Sequence, residues 1–172
     1  MPINVNGISL SSNGTALTMA NGATNWMLVN SNGIISRPQT PIFQAVLSGQ
    51  AVFYTANPVT FGAVQINQGS CWNNSTGLFT CPVAGKYLVS MGAIASGSAN
   101  GVSSFGYYYI FKNGGTYHFS HWNTATYWEY GGVTGVVDCA VGDTISYAIT
   151  GGGTNGIYGP GDHCSFNISL VV

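Results

Sequence analysis

Seven Asn-Gly dipeptides punctuate this chain, at Asn6, Asn13, Asn21, Asn32, Asn100, Asn113 and Asn155. Both residues tolerate positive φ, as a two-residue hairpin turn requires, so Asn-Gly between apolar runs is the strongest short hairpin signal. Four of the seven precede residue 34. Between them sit short alternating pieces, Ile8 to Leu10, Ala16 to Met19 and Trp26 to Val29. No apolar stripe with helical spacing appears there or later. The fold class read from this pattern is all-β.

Residues 1–40 read as a small β-meander too short to bury a core of its own. Hairpins of this size are marginal alone and need a partner surface, so the segment is expected to be an attachment arm. Arg37-Pro38-Gln39-Thr40-Pro41 reads as a stiff, extended linker. Residues 41–172 then carry strand signals about every 8 to 15 residues, the rhythm of a sandwich or jelly roll. The expected strands are Ile42–Leu47, Thr60–Val64, Gly77–Thr80, Gly85–Ser96, Ser103–Lys112, Gly115–Trp122, Trp128–Cys139, Asp143–Thr150 and His163–Val172. The Gly-rich stretches Ser98–Ser104 and Gly151–Gly161 are expected to be exposed loops. They lack the GK[ST] signature and following helix of a phosphate cradle.

Charge narrows the function. The chain holds 3 basic and 4 acidic residues, 4% of its 172, against about a quarter in an average soluble domain. Arg37, Lys86 and Lys112 are too scattered to make a basic patch, so nucleic acid and anionic membranes are not expected partners. No apolar run is long enough to span a bilayer as a helix. Hydrophobic residues make up 45% and aromatics 13%, enough for a packed core rather than disorder. A nearly uncharged, apolar-rich surface tends to associate. The expectation is a protein that works inside an assembly.

The N-terminus MPINVNGISL has neither the charged n-region nor the apolar h-region of a signal peptide. On that reading the sequons at Asn13, Asn74 and Asn167 carry no glycan. Cys71, Cys81, Cys139 and Cys164 allow two disulfides or four thiols, and fit no zinc spacing. Synthesis in a reducing cytoplasm favours buried thiols.

The segment Phe79 to Tyr87, FTCPVAGKY, carries the most specific pattern. Asn67, Gly69, Gly77, Phe79, Thr80, Cys81, Pro82, Gly85 and Tyr87 follow, in order, the Asn-Gly, spacer, Gly-x-Phe-Thr-Cys-Pro-x-x-Gly-x-Tyr pattern of the globular domain of the C1q/TNF-like family, with Gln68 standing between the Asn and the Gly. Asn113-Gly114 after a strand, Gly142-Asp143 before one, and the closing CSFNISLVV agree with it. The chain resembles that family over roughly Pro41 to Val172. It departs from it at Lys86-Tyr87-Leu88-Val89, where two more aromatics are common. The resemblance implies a jelly-roll β-sandwich and a homotrimer. The N-terminal stretch is also similar to bacteriophage virion proteins, through Asn25-Trp26-Met27-Leu28-Val29-Asn30, Gly33, Ile34, Pro38 and Pro41-Ile42-Phe43. There a short β-rich head precedes a C-terminal knob. No Gly-X-Y stalk accompanies the domain, as it often does in secreted animal members.

The aromatic residues concentrate between Tyr107 and Tyr130. Tyr107, Tyr109 and Phe111 fall on one strand face, Tyr108 and Ile110 on the other. One face is expected to fill the jelly-roll core. The other is expected to meet a neighbouring subunit or a ligand, where Tyr and Trp are enriched. Tyr107, Tyr109, Phe111, Tyr117, Trp122, Trp128 and Tyr130 are the candidates for that surface. In the arm, Ile3, Val5, Ile8, Leu10, Trp26 and Leu28 are the candidates for docking.

Catalysis and cofactors are not expected. His118 and His121 lie three apart on a strand, so they point to opposite faces and cannot share a metal; they read as surface or interface residues. Asp162-His163-Cys164 are consecutive on a strand and diverge, unlike a catalytic triad. Glu129 and Asp138 are nine apart with no framing motif for a glycosidase pair. Asp143 reads as a turn residue, and calcium coordination by Asp143, Asp162 and loop carbonyls needs more oxygens than these supply.

These readings converge on a structural surface protein of a tailed-bacteriophage virion, made in the bacterial host cytoplasm. The expected form is a trimeric capsid-decoration protein whose arm docks on the major capsid protein. One alternative is the receptor-binding tip of a tail fibre, docked on a tail protein and recognising a host-surface glycan. A second is a secreted C1q-like recognition protein.

Overall fold

A computed structural model describes residues 3–5, 8–12, 16–21, 24–47, 52–53, 55–56, 58–96, 104–124, 128–151, 157–158 and 164–171. All regular structure among them is β. The chain divides into two compact units, Met1–Thr40 and Pro41–Val172.

The first unit is a five-stranded antiparallel meander of β1 (Ile3–Val5), β2 (Ile8–Ser12), β3 (Ala16–Asn21), β4 (Thr24–Asn30) and β5 (Ile35–Ser36), paired in chain order. Asn-Gly pairs fall at each of its hairpin connections. In the turn between β4 and β5, Gly33 takes φ +76°. The Asn30 carboxamide oxygen accepts from the N–H groups of Asn32 and Ile34, both at 2.9 Å. A register shift between Met19 and Ala20 marks a bulge in β4 against β3, with Trp26 the extra residue. Residues 37–40 are not an extended linker. The Thr40 N–H donates to the Arg37 carbonyl at 3.0 Å, closing a β-turn with Pro38 second. The fixed φ of proline suits that turn position as well as it suits an extended chain.

The second unit is a sandwich of two sheets. Its strands are β6 (Ile42–Val46), β7 (Val52–Phe53), β8 (Thr55–Ala56), β9 (Ala63–Gln68), β10 (Trp72–Asn73), β11 (Leu78–Thr80), β12 (Gly85–Ser96), β13 (Ser104–Lys112), β14 (Gly115–Thr124), β15 (Trp128–Cys139), β16 (Thr144–Gly151), β17 (Ile157–Tyr158) and β18 (Ser165–Val171). The first sheet runs β15-β12-β18-β6-β9, with β17 and β7 beside the end of β12. The second runs β10-β11-β16-β13-β14, with β8 beside β16. Most neighbours are distant in sequence, which gives the jelly-roll order.

Two expectations are corrected here. The strand placed at Thr60–Val64 begins at Ala63 and runs to Gln68. Val59 and Phe61 are buried instead as core side chains of a connecting segment, held through the Val59 N–H to the Tyr147 carbonyl at 2.8 Å. The stretch 151–161 is not all loop, since Ile157–Tyr158 pairs with both β12 and β7. The stretch 98–103 and the remainder of 152–161 lie outside the described residues.

Alternation along each strand supplies the core. Phe43, Tyr87, Val89, Phe166 and Ile168 face in from the first sheet, and Trp72, Phe79, Tyr108, Ile110, Tyr147 and Ile149 from the second. Phe43 stacks on Trp72 at 4.4 Å and Phe61 on Phe166 at 5.0 Å. Each fully buried apolar side chain of this size contributes about 1.5–3 kcal/mol. The Tyr147 hydroxyl is buried with no hydrogen-bond partner among the described residues.

The residues of the sequence pattern build one corner of this sandwich. The Asn67 carboxamide accepts from the Trp72 N–H at 3.0 Å and donates to the Trp72 carbonyl at 3.3 Å. It thus acts as a strand partner for the chain that turns through Gly69 (φ +85°). Gly77 (φ +66°) passes so close to Pro58 and Val59 that a Cβ there would meet the Val59 carbonyl at 2.8 Å. Phe79, Cys81 and Tyr87 are fully buried, and the Tyr87 hydroxyl donates to the Val83 carbonyl at 2.8 Å.

Candidate functional site

Two sheet faces point away from the core, and they differ in chemistry. On the second sheet, β13 turns Phe105, Tyr107, Tyr109 and Phe111 outward while Tyr108 and Ile110 are fully buried. The outward rings form a continuous row. Phe105 meets Tyr107 edge-on at 6.5 Å, Tyr107 meets Tyr109 at 5.7 Å, and Tyr109 stacks on Phe111 at 5.6 Å. Phe119 of β14 bridges Tyr107 and Tyr109 at 6.3 and 6.2 Å. Phe105 is 59% and Phe119 62% exposed. Across β16 the row is flanked by Ser146, Ala148 and Thr150. Among the described residues the strand partners of the row carry no Asp, Glu, Lys or Arg, and His121 of β14 stands opposite Tyr107.

Phe119 owes its place to a register shift. Lys112 pairs with Gly115 and Phe111 with Thr116 around the Asn113-Gly114 turn, but Ile110 then pairs with His118. The bulge slips β14 by one residue, which exchanges its faces. Phe119 therefore stands opposite Tyr109. His118 turns inward, into a hollow where a Cβ on Gly135 would overlap its ring. The two histidines do point to opposite faces; His121 is exposed, whereas His118 is half-buried against β15 rather than at a surface or interface.

The first sheet presents a different face. Its outward residues form lateral rows: Ile42, Ser169, Leu88, Val136; then Gln44, Asn167, Ser90, Thr134; then Val46, Ser165, Gly92, Gly132. Ile94 pairs with Tyr130 at the end. Tyr130 is 68% exposed, and its hydroxyl lies over Gly92, where a Cβ would collide with it. Among the described residues charge enters this face in the row of Lys86 and Asp138. Leu88, Val136, Val171 and Ile66 are exposed.

The predicted surface residues thus separate. Tyr107, Tyr109 and Phe111 stand together, joined by Phe105 and Phe119, which the candidate set omitted. Phe105 continues the same alternation and was legible; Phe119 depended on the bulge. Tyr117 is exposed but leans on the His118 ring at 4.8 Å rather than on the row. Tyr130 belongs to the other sheet. Trp122 and Trp128 lie in β14 and β15, with side chains outside the described residues. In the arm, Ile3 pairs with Leu10 and Val5 with Ile8. Leu10 pairs on to Met19, while Leu28 pairs with Thr18 and Ser36, a different cross-strand row. Trp26 lies in β4 at the bulge. Of these six arm candidates only the Leu28 side chain is described, and it is half-buried.

Glu129 and Asp138 are too far apart to act as a pair. They sit nine residues apart on β15, roughly 30 Å along an extended strand, beyond the separation of any glycosidase pair. Asp143 is a turn residue. Its carboxylate accepts from the Asn113 amide and the Ala140 N–H, both at 2.8 Å, and pairs with Lys112 at 3.0 Å. These contacts, the Asn113 bond first, hold its pKa down at about 2. Among the described residues no three His, Cys, Asp or Glu side chains converge as a metal site. Cys71, Cys81, Cys139 and Cys164 are buried thiols. Asp162 and His163 lie outside the described residues.

A family model described as the C1q domain matches residues 42–145, well over half of the chain. The chain belongs to the C1q domain family. Solved structures agree on the fold of this C1q domain. It is similar to the globular domain of zebrafish complement 1qA, at 17% identity and a TM-score of 0.56, over 77% of this chain and 98% of that one. It is similar also to murine APRIL, whose crystal structure was determined at pH 5.0, at 10% identity and a TM-score of 0.59, over 77% and 99%. No curated protein matches the chain. C1q/TNF-like domains are generally recognition or structural modules.

Proposed function

We propose that residues 41–172 form a homotrimer about the outer face of the first sheet, and that the trimer is a structural component of a tailed-bacteriophage virion surface. Capsid decoration is the role favoured, with residues 1–40 as the arm that docks on the major capsid protein. The observation that carries the reading is the uncharged face itself. Three successive rows across β6, β18, β12 and β15 hold only Ile, Leu, Val, Gly, Ser, Thr, Asn and Gln. A face of exposed apolar residues interleaved with small uncharged ones suits burial against copies of itself. The near absence of charge across the whole chain suits permanent residence in an assembly. The similarity of residues 25–43 to virion proteins points the assembly toward a phage particle. Cryo-EM reconstruction of virions carrying this protein tests the placement. Regular trimeric density over the head supports decoration; density confined to the tail overturns it.

A recognition role is the second reading, at a fibre tip or in a secreted C1q-like protein. The aromatic row of the second sheet favours it, because five contiguous rings beside the polar His121 suit a neutral ligand such as a host-surface glycan. Binding of purified host polysaccharide that is lost on replacing Phe105 and Phe119 would support it.

A further inference from the structure

The thiols of Cys81 and Cys139 hydrogen-bond to each other at one end of the sandwich, and both residues are buried. Each backbone is pinned. The Cys81 N–H donates to the Asp143 carbonyl at 2.8 Å, and its carbonyl accepts from the Gly142 N–H at 2.9 Å. Cys139 ends β15 in register with Gly85 of β12. With both backbones held, the two sulfurs stay within reach of one another, so the pair has the high effective concentration of an intramolecular reaction. The remaining thiols are directed elsewhere. Cys71 points its Sγ at the Gly69 carbonyl, 3.4 Å away, and Cys164 bonds to the Ile94 backbone.

We propose that Cys81 and Cys139 are a redox pair, closed to an intrachain disulfide by an oxidised low-molecular-weight thiol such as glutathione disulfide and reopened by a reducing thiol. Cys139, the less deeply buried of the two at 4% exposure against 0%, reacts first. Its thiol gives a proton to solvent and the thiolate attacks one glutathione sulfur, expelling a glutathione thiolate. Cys81 then loses its proton and attacks the Cys139 sulfur of the mixed disulfide, expelling the second glutathione thiolate. Both thiolates are reprotonated. The protein loses two hydrogens, and one glutathione disulfide becomes two glutathiones. Burial raises both thiols above their ordinary pKa, so the reduced pair is inert to brief exposure and closes slowly. Once closed, the link joins the β11–β12 connection to the end of β15 and constrains the unfolded chain over that long loop. The fold is then assembled with free thiols and locked when it reaches an oxidising medium. This holds whichever function the chain serves.

The test equilibrates the full chain in glutathione buffers of graded ratio, counts thiols after denaturation and maps peptides without reduction. The expected result is four thiols in the reduced buffer and two in the oxidised one, with one Cys81–Cys139 linked peptide. The unfolding midpoint should rise on oxidation and return with dithiothreitol. Cys71→Ser and Cys164→Ser should keep the link. Persistence of all four thiols, a stable glutathione adduct on Cys139, or a link through Cys71 or Cys164 would overturn the proposal. The wild-type map decides the matter even where a Cys81→Ser chain fails to fold.

Discussion

Lys112 reaches from the end of β13 to Asp143 in the turn before β16, Nζ to Oδ2 3.0 Å, and donates a second bond to the Asp138 carbonyl at 2.7 Å. Asn113 completes this clasp. Its amide donates to Asp143 while its carboxamide oxygen accepts from the Thr144 N–H at 2.8 Å. Two turns far apart in sequence are thereby tied at one end of the sandwich.

The clasp makes a prediction about acid. The folded pKa of Asp143 is lowered from 3.8 to about 2. A depressed carboxylate stabilises the fold above its unfolded pKa and loses that contribution as pH falls through the folded one. Stability should therefore decline between about pH 4 and pH 2 in the wild type. In Asp143→Asn this limb should be shallower, the variant being less stable at neutral pH. Thermal melts across that range check it; parallel curves for the two proteins would refute it.

Tyr147 carries a buried hydroxyl without a partner among the described residues. Removing an unsatisfied buried polar atom recovers its desolvation cost, on the order of 1 kcal/mol. Tyr147→Phe should be neutral or stabilised by that amount in urea unfolding. A clear loss of stability would show that the hydroxyl is satisfied.

Gly135 leaves the hollow that the His118 ring fills. Gly135→Ala should cost about 1–3 kcal/mol by overpacking. His118→Ala in the same chain should remove most of that cost, a non-additivity expected for residues in direct contact. Additive losses would mean that the two do not share the space.

Phe105 and Phe119 are exposed but touch the ring row. Replacing either with Ser should cost less than about 1 kcal/mol, the range of a cross-strand aromatic pair. The double variant should keep its oligomeric state while losing any affinity for a neutral polysaccharide in a glycan-array or sedimentation assay. Loss of the oligomer would move the subunit contact to this sheet.

The parts of the fold that were legible in the sequence follow from local chemistry. Asn-Gly marks the hairpins of the meander and the turn at Asn113, because positive φ is nearly free there. Strict alternation in Tyr107–Phe111 separates the core face from the outer one, and Phe105 extends the same rule. The bulge beside Ile110 was not legible. Nothing in the residues of β14 announces a one-residue slip, and it decides whether His118 or Phe119 joins the row. The turn at Pro38 was missed because proline's φ serves a turn and an extended chain alike. The uncharged face of the first sheet and the Cys81–Cys139 pair depend on strands brought together by the jelly-roll order, such as β12 with β18 and β15. Sequence spacing carries no trace of those pairings.

The most direct test of the account is the mass of the protein in solution, by light scattering, for the wild type and for Leu88→Glu/Val136→Glu. Both substitutions lie on exposed positions of the first sheet, so the monomer fold should tolerate them. A trimer built on this face has a wild-type mass three times that of the 17.9 kDa chain and leaves the variant a folded monomer. A monomeric wild type, or a variant that stays trimeric, would contradict it.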